Sequence, residues 1–362
     1  MNSLLAIQGL LEIVISAVFG VLIFFISFKT FSILTKELDE MSEIKKNNVA
    51  ISVLGSSFIF GIMILVKSSI DPSMETLKNL LEVESFTFML IFSSIIRVLL
   101  IFIFSSIFSF TILWLALKLF TMLTTEIDEM SEIKNNNIAV SLILATLVVS
   151  MSLILSTPLK TLLDGMVSSP LQTDSGVSEH IINMSVFLQG LIELGITLFG
   201  SIFIFFLSFK MFSVFTKKIN EIQELKSGNL AVSILLSSFI FSIMILVSSA
   251  IEPANEALGY ALSSEDVTAL SIFLAFVRIL IFFIASSVIS FVVIWFSMKL
   301  FMLFTTKIDE LTEIKNKNIA VSLLIALLLI SSALLIQHGL TVLLESFIKT
   351  PELGRGLIDL SK

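Results

Sequence analysis

The chain of 362 residues contains no cysteine, which excludes disulfides, thiolate metal sites and a cysteine nucleophile. Histidine is almost as scarce. His180 and His338 are the only two, far apart and without carboxylates at ligand spacing, so no metal site and no other cofactor is expected. The 14 glycines form neither a GxGxxG fingerprint nor a GxxxxGK(S/T) loop, which removes the two commonest backbone cradles for phosphate. Positive charge is in deficit: 22 Lys and Arg face 29 Asp and Glu, a net charge of −7, which argues against nucleic acid as a partner. Charge of any sign is sparse at 14%, where soluble domains average about 25%. A water-soluble enzyme is therefore excluded. With no nucleophile–base pair to assemble from these residues, enzyme chemistry is not expected.

What is abundant is apolar. Hydrophobic residues make up 56% of the chain, mean hydropathy is +1.06, and several runs reach twenty residues or more. Roughly 20 residues of helix, at 1.5 Å each, cross a bilayer core. The sequence predicts eight spans, at about 4–28, 49–70, 86–117, 138–158, 186–209, 230–251, 268–298 and 319–337. The fold class expected is an all-α polytopic bundle, with the lipid bilayer as its first partner. Met1 to Leu11 carries no basic residue, and a near-copy of the first apolar run recurs deep in the chain. It is therefore expected to be a retained span, not a signal peptide.

Internal repetition dominates the polar remainder. Starting at Thr35, Thr124, Thr216 and Thr305, the chain reads TKELDEMSEIKKNNVAIS, TTEIDEMSEIKNNNIAVS, TKKINEIQELKSGNLAVS and TTKIDELTEIKNKNIAVS; the second and fourth agree at 14 of 18 positions. Each copy lies between two apolar runs, so the unit is helix, polar segment, helix. A second level is visible in SSFIFGIMILVKSSIDP (56–72) and SSFIFSIMILVSSAIEP (237–253), which share 13 of 17 residues. The expected organisation is (AB)(AB): a first half over 1–163 with repeats 1–89 and 90–163, a linker over 164–185, and a second half over 186–362. The second half holds repeats 186–266 and 267–347 and a short C-terminal tail. Because each unit has two spans, all four enter from the same face, as parallel repeats. Counted from Lys29, Lys118, Lys210 and Lys299, the four polar segments hold 14 lysines against six Lys and Arg in the opposite loops and termini. The positive-inside rule then predicts cytoplasmic segments and both termini outside an inner membrane.

Within the segments, Phe31, Leu34, Leu38 and Met41 recur at helical spacing, which predicts that the first helix continues past the bilayer as an amphipathic helix. Asn48, Asn137, Asn229 and Asn318 directly precede the next apolar run and are read as N-caps. Glutamates recur three residues apart as Glu40 and Glu43, Glu129 and Glu132, Glu221 and Glu224, Glu310 and Glu313. Set around an axis they would form an acidic ring that concentrates cations; otherwise they are a solvated face partly neutralised by lysines, or a face that docks a cytoplasmic protein. At the other end, Arg97 and Arg278 stand 21 residues before Lys118 and Lys299. With Glu12 and Glu193, which follow Gln8 and Gln189 by one turn, they define an outer charged layer, paired as Arg97–Glu12 and Arg278–Glu193 or snorkelling separately. Ser52 and Ser56, Ser233 and Ser237, Ser141 and Ala145, and Ser322 and Ala326 put small residues at i, i+4, which permits close helix approach. Ser105, Ser106, Ser286 and Ser287 are expected to bond the preceding turn, with a polar path as the alternative.

The segment (D/N)-E-x-x-E-(I/L)-K-x-x-N-x-A resembles a family of small bacterial inner-membrane proteins, the YjfL type, known as a domain of unknown function. Glu221 to Ala231 (EIQELKSGNLA) is nearest to that pattern, while Asn47, Asn136 and Lys317 replace its glycine in the other copies. The resemblance implies a multi-pass membrane protein in four tandem copies and adds no catalytic residue. The sequence reading favours a channel-like or passive transport protein for a small ion or solute, free to form oligomers. Its alternative is a non-transporting scaffold or envelope-stress component that docks a cytoplasmic partner through the charged segments.

Overall fold

The computed structural model describes residues 3–35, 39–81, 87–124, 126–167, 171–173, 176–178, 183–216, 219–263, 268–306 and 308–347. His180, Leu38 and the tail after 347 lie outside them, as does the side chain of Gln8. The chain is an all-α bundle with, among the described residues, eight helices long and apolar enough to cross a membrane. The first unit comprises α1 (Ser3–Leu34), α2 (Glu40–Lys45), α3 (Val49–Lys67) and α4 (Ile70–Leu81). The second comprises α5 (Phe88–Leu123), α6 (Glu129–Lys134) and α7 (Ile138–Asp164). A small antiparallel hairpin follows, β1 (Leu171–Thr173) and β2 (Gly176–Ser178), with Gln172 opposite Val177. The third unit is α8 (Met184–Phe215), α9 (Glu221–Lys226), α10 (Leu230–Ser248) and α11 (Ile251–Ser263), and the fourth is α12 (Ala269–Phe304), α13 (Glu310–Lys315) and α14 (Ile319–Glu345).

The polar segments do not extend the long helices. α1 stops at Leu34, and a separate six-residue helix, α2, begins at Glu40. The stop has a local cause. The Thr35 N–H makes the closing bond of α1 to the Phe31 carbonyl at 3.0 Å, and Asp39 caps α2 by accepting from the Ser42 N–H. Asp128, Asn220 and Asp309 cap α6, α9 and α13 in the same way. Each short helix ends by entering the left-handed region, at Asn47, Asn136, Gly228 and Lys317, with φ of 62, 61, 68 and 68°. The next N–H then bonds five residues back (Asn48 to Glu43, 2.9 Å), the 6→1 bond of a Schellman motif. That conformation is free for glycine and tolerable for asparagine, which explains three of the four residues at this place.

In the first and third units the second span breaks two residues before the next helix, at Ser68–Ser69 and Ser249–Ala250. Pro72 and Pro253 sit in the first turn of α4 and α11, where a missing N–H costs little. α7 and α14 run through the same place unbroken.

The core is a row. α3 packs on α7, α7 on α10, and α10 on α14, while the long helices α1, α5, α8 and α12 flank them. Lipid tails are as apolar as leucine, so helices in a membrane associate through close packing and interhelical hydrogen bonds, with no gain from hiding apolar surface. Both devices are present, close packing at α3–α7 and α7–α8 and a hydrogen bond at each seam of the row. A Cβ on Gly61 would lie 2.6 Å from Ser152 Oγ and 2.9 Å from Val148 Cγ1, and one on Gly190 would lie 2.3 Å from the Leu162 backbone N. Ser141, Ser233 and Ser322 donate to the carbonyls of Ala50, Ala139 and Ala231 at 2.5, 2.6 and 2.7 Å. Of the small-residue positions read from the sequence, Ser141, Ser233 and Ser322 make these contacts, whereas Ser52 and Ser56 are exposed and bond carbonyls of their own helix. The seam between α7 and α10 joins the two halves with the same bonds that join units within a half.

Candidate functional site

The four asparagines cap the second helices as the sequence suggests. Asn48 accepts from the Ile51 N–H at 3.1 Å, Asn137 from Val140 at 3.3 Å, Asn229 from Val232 at 3.3 Å and Asn318 from Val321 at 3.4 Å. Their amides do a second task that sequence reasoning missed. Asn48 Nδ2 donates to the carbonyls of Ile133 and Lys134, Asn137 Nδ2 to Leu225, and Asn229 Nδ2 to Ile314 and Lys315. Each cap thus grips the C-terminus of the next unit's short helix.

The recurrent glutamates are placed by the same joints. Glu40, Glu129, Glu221 and Glu310 are buried, and each accepts from the threonine ending its own long helix: Thr35, Thr124, Thr216 (3.0 Å) and Thr305. Ser32 and Ser213 add bonds to Glu40 and Glu221 at 3.2 and 2.7 Å. Glu43, Glu132, Glu224 and Glu313 are half-buried and accept from the capping asparagines at 3.2, 2.8, 2.8 and 2.9 Å. The eight carboxylates therefore do not gather into a ring. The units stand in a row with no common axis, and one carboxylate of each pair is turned inward to tie the short helix to the long one. Burial raises the Glu129 carboxyl above its ordinary pKa, against the opposing bond from Thr124. The exposed Lys46 and the amide of Asn48 hold Glu43 below it. Lys45, Lys134, Lys226 and Lys315 remain exposed along the row.

On the far side the expected charged layer is only partly assembled. Glu12 is exposed on α1, Arg97 half-buried on α5 and Arg278 exposed on α12. Glu193 is buried on α8, where Oε1 accepts from Gln189 Nε2 at 2.7 Å. Glu193 is paired with its own helix instead of Arg278, because four residues along a helix bring Gln189 directly over it. A far-side ion pair not foreseen from sequence joins Lys160 of α7 to Asp71 of α4 at 3.2 Å. Of the serines in the long spans, Ser106 and Ser287 bond the preceding turn at Phe102 and Phe283, and Ser286 reaches across to the Leu246 carbonyl of α10. None of these lines the polar cavity over α10.

That cavity, of about 440 Å³, lies in the crevice over α10 between α7 and α14. Ser150, Thr157, Ser248, Glu252, Gln337 and Thr341 give it polar walls. Gln337 Nε2 donates to Ser248 Oγ at 3.1 Å, and Ser249 Oγ to the Gln337 carbonyl at 3.1 Å. Phe241 and Ile330 are its deepest lining residues counted from the far side, about 17 Å along their helices from the lysine side at 1.5 Å per residue. The cavity thus runs from the far side to near mid-depth. A hollow of about 210 Å³ at the lysine side, lined by Thr124, Glu129, Phe206 and Leu225 among others, lies at the seam of the second and third units.

Family comparison matches this architecture. The chain matches the family described as Domain of Unknown Function (DUF350) four times, over residues 4–109, 94–173, 185–284 and 275–350. The chain belongs to this family. Its four DUF350 copies correspond to the four structural units, and the row of Asn and Ser contacts is how one DUF350 unit joins the next. Comparisons with curated proteins and with solved structures found no significant match.

Proposed function

We propose that this DUF350 protein is a passive transport protein of the bacterial inner membrane, admitting an inorganic cation or small polar solute. In this reading the short helices face the cytoplasm, both termini lie outside, and the crevice over α10 is the outer vestibule. The observation that carries it is the polar lining of that cavity, set among helices whose other faces are apolar. Hydroxyls, a carboxamide and the Glu252 carboxylate are groups that can replace part of a solute's hydration shell. The lysine excess of the polar segments supports the orientation. The arrangement described is a closed one, and passage requires α7 and α14 to part beyond Phe241 and Ile330.

Purified protein in liposomes tests the reading. Flux of potassium, sodium or a small neutral solute above that of protein-free vesicles is expected, falling several-fold in a Glu252→Gln, Gln337→Leu variant. No flux for any of them overturns it. A second reading, a scaffold for a cytoplasmic protein, is favoured by the exposed lysines at matching places along the row. It predicts a stoichiometric partner that is lost when those four lysines are reversed to glutamate.

A further inference from the structure

Every internal seam of the row has the same chemistry. One unit gives its asparagine amide to the short-helix carbonyls of the next, and the next returns its serine hydroxyl to an alanine carbonyl of the first. A third bond appears where the left-handed residue is asparagine: Asn136 Oδ1 accepts from the Ala50 N–H at 3.1 Å. The row has two ends, and at each the same groups stand without a neighbouring unit.

At the α14 end, the Asn318 amide reaches Glu313 of its own unit, and Ala320 is exposed where Ala50, Ala139 and Ala231 are buried. Leu335 is 83% exposed, although Leu65, Ile154 and Leu246 at the equivalent place are at most 1% exposed. Leu324 and Leu327 are exposed beside it. At the α3 end, Ser52 is exposed and turns its hydroxyl onto the Asn48 carbonyl of its own helix. Its counterparts Ser141, Ser233 and Ser322 are fully buried. Ile44 is 40% exposed, against at most 1% for Ile133, Leu225 and Ile314. Asn47 is exposed and occupies the place from which Asn136 makes its bond across the seam.

We infer that these two ends are halves of one more seam, closed between copies: the α14 edge of one chain docks on the α3 edge of another, head to tail. Asn318 Nδ2 then donates to the carbonyls of Ile44 and Lys45 of the next copy. Ser52 donates to the Ala320 carbonyl, and Asn47 Oδ1 accepts from the Ala320 N–H. The occupant is a second copy because the interface is already built three times within the chain, and each group needed for a fourth is in place at one end or the other. Lipid tails cover the exposed leucines equally well but cannot make the hydrogen bonds that a further unit would add at Asn318, Ser52 and Asn47. Such a contact is heterologous, so it generates a closed ring or an open line of copies.

The absence of native cysteine makes the test direct. The full chain carrying Ser52→Cys and Ala320→Cys, oxidised in its own membranes, is expected to give a ladder of covalent species at multiples of the 40.0 kDa chain. Either single substitution, with one thiol per chain, is expected to give no dimer, and Ala50→Cys with Ser141→Cys closes within one chain as the control. Ser331, exposed at the place of Gly61, admits phenylalanine in a single chain but not in the seam, so Ser331→Phe is expected to reduce the ladder several-fold. No ladder while the control closes overturns the inference and leaves the edges to lipid. A disulfide-linked dimer from a single substitution, an adduct that is not a multiple of the chain mass, or a ladder indifferent to Ser331→Phe overturns it equally.

Discussion

Two glycines on α8 provide a matched test of how closely the helices approach. A Cβ at Gly190 would lie 2.3 Å from the backbone N and 2.4 Å from the Cα of Leu162, whereas at Gly195 it would meet nothing within 4 Å. Real Cβ contacts do not fall below 3.0 Å, and the obstacle at Gly190 is backbone, which has no rotamer to change. Gly190→Ala must therefore push α8 away from α7. A gap of even 0.5–1 Å forfeits about a quarter to a half of each dispersion contact along it, and overpacking of this kind costs roughly 1–3 kcal/mol. At Gly195 the same substitution adds only helix propensity, worth up to about 1 kcal/mol in favour of alanine. Thermal unfolding of the purified protein in detergent is expected to show Gly190→Ala lowering Tm and Gly195→Ala leaving it unchanged or higher. Equal effects of the two would refute the packing of α7 on α8, and with it the joint between the two halves.

Asn137→Ala and Asn318→Ala each remove a cap and a bond to a glutamate of the same unit, and Asn137→Ala alone also removes a bond across a seam in a single chain. In monomeric detergent solution the first is expected to destabilise more, by about 0.6 kcal/mol, the average worth of an interhelical hydrogen bond in a membrane; equal losses in denaturant titrations would argue against the seams. Lys317 holds a left-handed backbone at φ 68°, so Lys317→Gly should gain about 1 kcal/mol and Gly228→Ala should lose a similar amount, both read from unfolding midpoints. Because burial raises the Glu129 carboxyl, the folded state holds its proton more tightly than the unfolded state. Its contribution is complete below the ordinary carboxylate value and is lost as pH rises through the raised one. Glu129→Gln is expected to flatten that part of the stability–pH curve, and an unchanged slope would contradict the assignment.

Much of the fold was legible because membrane helices declare themselves by length. The sequence also announced the four units, since a repeat in polar segments cannot come from shared apolar composition. The asparagine caps followed from their position before each apolar run. The serines at i, i+4 marked the seams because only small residues let helix backbones approach. The break after Thr35 was hidden by Phe31, Leu34, Leu38 and Met41, whose spacing continues the helical period, although Asp39 followed by Glu40 and Glu43 carries the signal of a new N-terminus. The inward turn of Glu40 and its equivalents was not legible at all: their threonine partners end the preceding long helix, and periodicity says nothing of how two separate helices meet. For the same reason a fourfold repeat suggested an axis, whereas the residues that make a row lie in seams between units some ninety residues apart in sequence. The cavity was equally invisible, because Ser150, Glu252 and Gln337 belong to three different units.

The claim on which the rest depends is that four parallel units place all their short helices on one side of the membrane. Single cysteines at Lys45, Lys134, Lys226 and Lys315, exposed on α2, α6, α9 and α13, can be labelled with a membrane-impermeant thiol reagent in intact and in opened cells, with Tyr260→Cys on α11 as the opposite-side marker. All four should label only after opening and Tyr260→Cys in intact cells. Labelling of any one of the four from the same side as Tyr260→Cys would contradict the parallel row.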